Sequence, residues 1–132
     1  MPGETHLENL LSNLSPIIIN GEFVFCTMAN AGYGDFEELN PLATFNESEG
    51  LTLLISKHIA DENGLRYGSV FKGITLSVHS SLDAVGLTAA VSAKLAGEGI
   101  SANVIAAYYH DHNFVQADRI EQAIAALNAL KA

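Results

Sequence analysis

LSVHSSLDAVGLTAAVSAKLAGEGISANVIAAYYHDHNFV, residues 76–115, determines the fold. A short apolar strand leads into the polar turn Ser-Ser-Leu-Asp, whose side chains can cap a helix that we expect from about Asp83. Gly97 ends that helix, and residues 100–109 form a second apolar strand that leads into His-Asp-His and a further strand. Three apolar residues at helical spacing give the helix one face for packing on a sheet: Leu87, Val91 and Leu95.

The first half of the chain carries its own helix and strand signals. A capping box at Thr5 predicts an amphipathic helix that ends before Pro16. Residues 22–28 have the β-rich composition of a strand. Two apolar runs joined by an acidic turn then predict a hairpin, which is followed by a short helix: residues 42–45, 51–56 and 57–63.

Residues 64–68 begin and end with a glycine and mark the expected joint between two domains, 1–65 and 66–132. Beyond the joint, residues 70–79 alternate between apolar and polar, as in a strand with one buried face. A last helix is expected from about Asp118. This order of strands and helices predicts an α+β fold in which antiparallel sheets carry helices on one face.

Composition limits the function classes. The chain has 132 residues, 48% of them hydrophobic, which is enough for a packed core without disulfides. A formal charge of −9 argues against nucleic acid and anionic membranes as partners. The sequence shows neither a membrane-spanning stretch nor a secretion signal, and its single cysteine, Cys26, has no partner for an internal disulfide. We therefore expect a cytoplasmic protein.

Residues 79–109, with Gly86 early in the helix and the run Gly-Ile-Ser-Ala-Asn from Gly99, resemble the ACT domain. ACT domains are small modules that bind amino acids and other metabolites to regulate enzymes. The whole chain resembles a bacterial family that pairs two ACT-like halves, most specifically in residues 41–55 and 108–115. The resemblance implies tandem ferredoxin-like βαββαβ halves.

The second half ends on a helix, so the last strand of its βαββαβ unit is missing from the usual place. We expect the N-terminal half to supply that strand. An edge left open would instead favour pairing with a second copy, and a homodimer is expected. The strand of residues 100–109 is apolar on both faces, which favours a place in the middle of a sheet.

A more distant resemblance to the animal arginine sensor CASTOR implies a ligand site between two ACT halves or at a subunit interface. Ala84 stands where the sensor carries an acidic residue and Ala107 where it carries a hydroxyl, which makes a cationic ligand less expected. The residues expected to bind the ligand are Ser80, Ser81, Gly86, Leu87, Asn103, Ala107, Tyr108 and Asp111.

The chemistry of these residues suits an amino acid. Free N–H groups at a helix start attract a carboxylate, and Ser80 and Ser81 add hydroxyl donors. Asp111 can accept hydrogen bonds from an ammonium group. The same residues have a purely structural interpretation, because serine and aspartate also cap helices and form turns.

No residue pattern favours a metal, a cofactor or catalysis. His79, His110 and His112 lack the further ligands that would complete a metal site. Glu47 and Glu49 lie in a turn that is expected to be solvated, and no histidine is placed to activate Cys26. Two functions therefore remain: a non-catalytic amino-acid sensor, or a structural interaction protein with the same fold and no ligand.

Overall fold

The computed structural model describes residues 7–77 and 86–131 and divides the chain into two compact units. The discontinuous unit consists of the described parts of Met1–Asn20 and Lys72–Ala132. The continuous unit is Gly21–Phe71. The strands are β1 (Pro16–Ile18), β2 (Phe23–Met28), β3 (Ala43–Glu47), β4 (Gly50–Ser56), β5 (Phe71–Leu76), β6 (Asn103–Ala106) and β7 (Asp111–Gln116). The helices are α1 (Leu7–Ser12), α2 (Lys57–Glu62), α3 (Leu87–Gly97) and α4 (Ile120–Ala129), with short 3-10 segments at Glu37–Leu39 and Ala117–Arg119.

The discontinuous unit completes a βαββαβ order with a strand from the start of the chain. Its strands lie in the order β1-β5-β7-β6. Elements β5, α3, β6, β7 and α4 follow one another along the chain, and β1 pairs antiparallel with β5 in the place of the sixth element. The expectation that the N-terminal half supplies the missing strand is therefore confirmed. Pro16 is tolerated there because it opens an edge strand and needs no ladder donor.

Helices cover one face of this sheet. Ile74 and Leu76 of β5 and Val115 of β7 are buried in one cluster with α1, α3 and α4. The helices contribute residues at helical spacing, as expected from the sequence: Leu10 and Leu14 near α1, Leu87, Val91 and Leu95 from α3, and Ala123, Ala126 and Leu127 from α4. Burial of this apolar surface stabilises the unit, at about 25 cal/mol per Å².

The continuous unit is built on the predicted hairpin. Strands β3 and β4 pair antiparallel, and β4 pairs with β2 in full register. Its core joins residues of β2 and β4 with Ala60 of α2 and Leu39 of the first 3-10 segment. Phe71 lies opposite Phe23 at the other side of β2. The link between β2 and β3 contains a 3-10 segment of three residues and no α-helix.

Two predictions are wrong in position. Helix α3 begins at Leu87, four residues later than expected, because Gly86 has φ +101°, which is outside helical geometry. Strand β6 pairs only with β7 among the described strands, so it is an edge strand and not a central one. Its apolar side chains are half-buried or exposed. In the described part of the chain, no helix is both long and apolar enough to cross a membrane.

Candidate functional site

The start of α3 offers backbone donors. Gly86 caps the helix in the left-handed conformation, which L side chains rarely adopt. A Cβ atom at this position would also lie 3.3 Å from a methyl carbon of Leu7. Gly86 has no side chain that could cap the helix, and its carbonyl accepts from the N–H of Ala90. The first N–H groups of a helix have no partner within the helix, so those of α3 can donate to a group placed at the helix start.

Asp111 lies against this helix start. It is the first residue of β7, half-buried, opposite Ala106 across the hairpin. The Thr88 hydroxyl, in the first turn of α3, donates to the Asp111 carboxylate at 3.4 Å. A bond this long satisfies the carboxylate poorly. The fold thus brings a carboxylate, a hydroxyl and the donor end of a helix together.

The other residues predicted to bind the ligand differ in their burial and contacts. The apolar side chain of Leu87 is buried in the hydrophobic core. Ala107 donates its N–H to the His110 carbonyl at 3.1 Å and closes the loop between β6 and β7. Tyr108 and its neighbour Tyr109 are 62% and 61% exposed, with their rings in edge contact at 4.9 Å. Ser80 and Ser81 lie outside the described residues.

Asn103 is separated from Asp111. It pairs with Phe114 in the register of β6 and β7, and its amide donates to the Phe114 carbonyl at 3.1 Å. Asp111 pairs with Ala106, three residues along, so Asn103 and Asp111 point to opposite faces of the hairpin. The amide of Asn103 thus has a structural partner in the sheet.

Three polar residues near Asp111 were not predicted as ligand residues. Thr88 was missed because the helix was expected to begin earlier. Asn113 is 1% exposed and is the buried polar residue of the described chain. Neither of its side-chain polar atoms has a hydrogen-bond partner there, and the same holds for Nδ1 of His110. A signal for Asn113 was available, since it alternates along β7 onto the same face as Asp111 and the apolar Val115.

The histidines do not form a metal centre in the described structure. The Thr75 hydroxyl and His112 Nδ1 are 2.9 Å apart. Burial lowers the pKa of His112, with a further lowering from His110 and an opposing effect of Asp111. Among the described residues, no three histidine, cysteine, aspartate or glutamate side chains are placed to share a metal ion. His79 lies outside the described residues.

The candidates for covalent or acid–base chemistry have structural surroundings. Cys26 is buried in the core of the continuous unit, and burial raises the pKa of its thiol, which disfavours the reactive thiolate. Glu47 accepts a hydrogen bond from Thr52, and Glu49 accepts one from Ser48; all four residues lie in or beside the β3–β4 turn. These contacts are those of a polar hairpin turn, not of a catalytic pair.

The continuous unit has an open cavity of about 520 Å³ between β2 and the first 3-10 segment. Three acidic residues contribute to its lining: Asp35, Glu37 and Glu38. Asp35 accepts from the N–H of Gly32 at 2.9 Å, and all three carboxylate residues are exposed to solvent. Because water already solvates these groups, the cavity offers a ligand little beyond a weak negative potential.

The comparisons with known proteins concern the whole chain. ACT-domain family profiles match residues 2–72 and 71–129. A Vibrio cholerae protein of unknown function, described as a possible transport protein, shares 50% identity and a TM-score of 0.87, with 96% of each chain covered. No curated protein matches the sequence.

Two more distant structures share the fold. An Agobacterium tumefaciens protein has 15% identity and a TM-score of 0.73, with 89% of each chain covered. The ligand-free regulatory subunit of aspartate kinase from Thermus thermophilus has 8% identity and a TM-score of 0.64, with 89% of this chain and 98% of that chain covered. At these identities the likeness concerns the fold alone.

Proposed function

Because the chain belongs to the ACT-domain family, whose members are regulatory modules for small molecules, we propose that it is a non-catalytic amino-acid sensor. The observation that carries the proposal is the half-buried carboxylate of Asp111 beside the start of α3, where it accepts from the Thr88 hydroxyl. An amino acid carries one group for each of these features. Its carboxylate suits the helix N–H groups, and its ammonium suits Asp111.

Regulation would follow from a difference in affinity. A ligand that binds one conformation or assembly better than another shifts the equilibrium toward it, by no more than that difference. Binding at the end of β7 would favour whichever arrangement keeps Asp111 against α3. The regulated partner is proposed to be another protein or a second copy of this chain, in the cytoplasm, where the free thiol of Cys26 stays reduced.

A thermal-shift screen against the twenty amino acids tests the site. We expect a dose-dependent rise in melting temperature with one or a few amino acids, because a ligand of the folded state alone stabilises it. Asp111→Asn should abolish the rise. Asp118→Asn is the matched control, since Asp118 is an exposed carboxylate just beyond the far end of β7. A rise that survives Asp111→Asn would move the site elsewhere.

The alternative function, an interaction protein, has its own supporting observation. Strand β6 is an edge among the described strands, and two exposed tyrosines follow it. An unpaired edge flanked by aromatic side chains is suited to pairing with a second copy. We propose that the protein forms a homodimer through this edge, whether or not a ligand binds.

Light scattering tests the proposed interface. Tyr108→Ser combined with Tyr109→Ser should convert a dimer into a monomer if β6 forms the interface. Tyr33→Ser, at an 86% exposed tyrosine of the continuous unit, is the control and should leave the mass unchanged. A monomeric wild-type protein in the presence and absence of amino acids would contradict the homodimer.

A further inference from the structure

Unpaired buried polar atoms are concentrated beside Asp111. In residues 7–77 and 86–131, the buried side-chain nitrogen and oxygen atoms without a hydrogen-bond partner are His110 Nδ1, Asn113 Nδ2 and Asn113 Oδ1. Both residues lie within two positions of Asp111 along the chain. Folded proteins satisfy the large majority of buried polar groups, and unsatisfied ones require an explanation such as an absent ligand or water.

The register of β7 directs Asn113 toward the helix layer. Asp111, Asn113 and Val115 alternate onto one face of the strand. Asp111 on that face meets Thr88 of α3, and Val115 on that face is buried in the cluster that contains Leu87 and Val91. The Asn113 amide therefore faces α3, about 7 Å along the strand from Asp111.

The unsatisfied atoms specify a chemical class. A carboxamide presents a donor and an acceptor side by side, so both Nδ2 and Oδ1 need complementary partners. Guanidinium and ammonium groups only donate, carboxylates only accept, aliphatic side chains do neither, and a hydroxyl offers a single oxygen for both roles. A second carboxamide satisfies both atoms together. We propose that Asn113 determines specificity, by selecting an amino-acid ligand with a carboxamide side chain, asparagine or glutamine; this rests on the proposed function.

Calorimetric titration of the full chain tests the selection with matched ligands. L-asparagine is compared with L-aspartate and L-leucine, and L-glutamine with L-glutamate and L-methionine, which have similar shapes and different hydrogen-bonding groups. We expect one carboxamide amino acid to bind at least about tenfold more tightly than either of its two analogues, since a lost partner leaves a buried polar group unsatisfied.

Asn113→Leu should remove the preference and bring the ratio of dissociation constants close to one. Asn128→Leu is the control, because Asn128 is an exposed asparagine on α4 and its replacement should preserve the ratio. Asn113→Ala serves as a second variant with no added branch, and circular dichroism verifies that each variant is folded.

The outcomes separate this inference from the proposed function. A carboxamide preference that disappears in both Asn113 variants supports it. A preference that persists in them overturns it, as does the absence of any preference. If another amino acid binds and Asp111→Asn abolishes that binding, the proposed sensor function is supported and the proposed selection by Asn113 is wrong. If none of the twenty amino acids binds, both are wrong.

Discussion

The two units differ in the link that follows β2 in the continuous unit and β5 in the discontinuous unit. In the continuous unit, β2 is followed by a loop with left-handed residues at Asn30, Phe36 and Asn40, and Asp35 accepts a hydrogen bond within that loop. In the discontinuous unit, the link that follows β5 ends in the eleven-residue helix α3, which begins after the left-handed Gly86.

Buried polar atoms show the same contrast. Within Gly21–Phe71, all of which the structure describes, no buried side-chain polar atom lacks a partner, whereas β7 and the residue before it hold three such atoms. This difference is why we propose the ligand site in the discontinuous unit. The continuous unit satisfies its own buried side-chain polar atoms, and the described part of the discontinuous unit leaves three such atoms unsatisfied.

The largest expected effect tests whether the continuous unit depends on its backbone geometry. Gly50 has φ +151°, and a Cβ atom there would lie 2.7 Å from the Met28 carbonyl oxygen. We expect Gly50→Ala to lower the free energy of unfolding by about 2–4 kcal/mol, because backbone strain adds to the clash. Chemical denaturation measures the change. Gly68→Ala, with no atom within 4 Å, is the control and should cost nothing.

In the discontinuous unit, a substitution at Gly73 would cause a comparable steric clash, but with side chains that can move. A Cβ atom at Gly73 would lie 2.7 Å from side-chain carbons of Ile19 and Phe114. Side-chain atoms can shift where a backbone carbonyl cannot, so Gly73→Ala should cost less, about 1–3 kcal/mol. A larger loss for Gly73→Ala than for Gly50→Ala would break the comparison.

Replacing one asparagine in each unit by leucine tests the difference in buried polar groups. We expect smaller changes in the free energy of unfolding, of different direction in the two units. Asn113→Leu should leave the free energy of unfolding of the ligand-free protein unchanged or raise it by about 1–2 kcal/mol, because it removes an unsatisfied buried amide. Asn63→Leu should lower it by about 0.5–1 kcal/mol, since Asn63 donates to the Ile59 carbonyl at 2.9 Å. If Asn113→Leu is destabilising, the amide has a partner such as a buried water.

Between pH 7.5 and 5.5, a pH dependence of stability is expected from His112 of the discontinuous unit. Burial lowers the pKa of His112 in the folded protein below its ordinary value of 6.5, so the unfolded chain takes up its proton first as the pH falls. The contribution of His112 is therefore complete above the ordinary pKa and is lost as the pH falls below it. Melting temperatures at pH 7.5 and 5.5 should differ less in His112→Gln, which can still hydrogen-bond to Thr75.

His58→Gln is the control for this measurement. His58 is an exposed residue of the continuous unit, 3.3 Å from Glu62. Its replacement should leave the pH dependence as in the wild type. An equal flattening by both variants would show that the histidine effect is not specific to β7.

The smallest expected effect concerns the polar cluster of α2. Asp61 accepts hydrogen bonds from Lys57 at 2.8 Å and from Tyr67 at 2.7 Å, and these contacts lower the pKa of Asp61. All of these groups are in contact with solvent, where ion pairs contribute little to stability. Asp61→Asn should not change the melting temperature detectably. A clear loss would mean that this cluster matters more than its exposure indicates.

The sequence predicted the elements whose signals are local. The hairpin of β3 and β4, helix α2 and the ACT family are confirmed, because turn chemistry, alternation and characteristic runs all lie within short windows. The last helix was expected from about Asp118, and α4 begins at Ile120 after a 3-10 turn. Such a difference is common at helix ends.

Elements defined by distant partners were not predictable in the same way. Strand β1 is three residues long and its partner in β5 lies far along the chain, so its pairing could be argued only from the missing sixth element. Nothing in the composition of β6 reveals how many neighbours it has. The start of α3 depends on the φ angle of one glycine, whereas side-chain preferences favoured the serines before it.

The candidate site was predicted only in part, because it too depends on contacts between residues that are distant along the chain. Asp111 and the helix start are joined by a Thr88 contact that only the fold creates. The polar character of Asn113 was visible, but its burial and lack of partners were not. A sequence shows which groups can bind a ligand, and packing decides which remain unsatisfied.

The place of β1 in the discontinuous unit has a consequence for synthesis on the ribosome. Helix α1 and strand β1 are translated before the continuous unit, yet their partners β5, α3 and α4 are translated after it. The continuous unit can close while synthesis is still under way, since domains commonly fold as they emerge. The unit proposed to bind the ligand can be completed only after the continuous unit has been translated, so a chain that terminates before β7 would lack the proposed site.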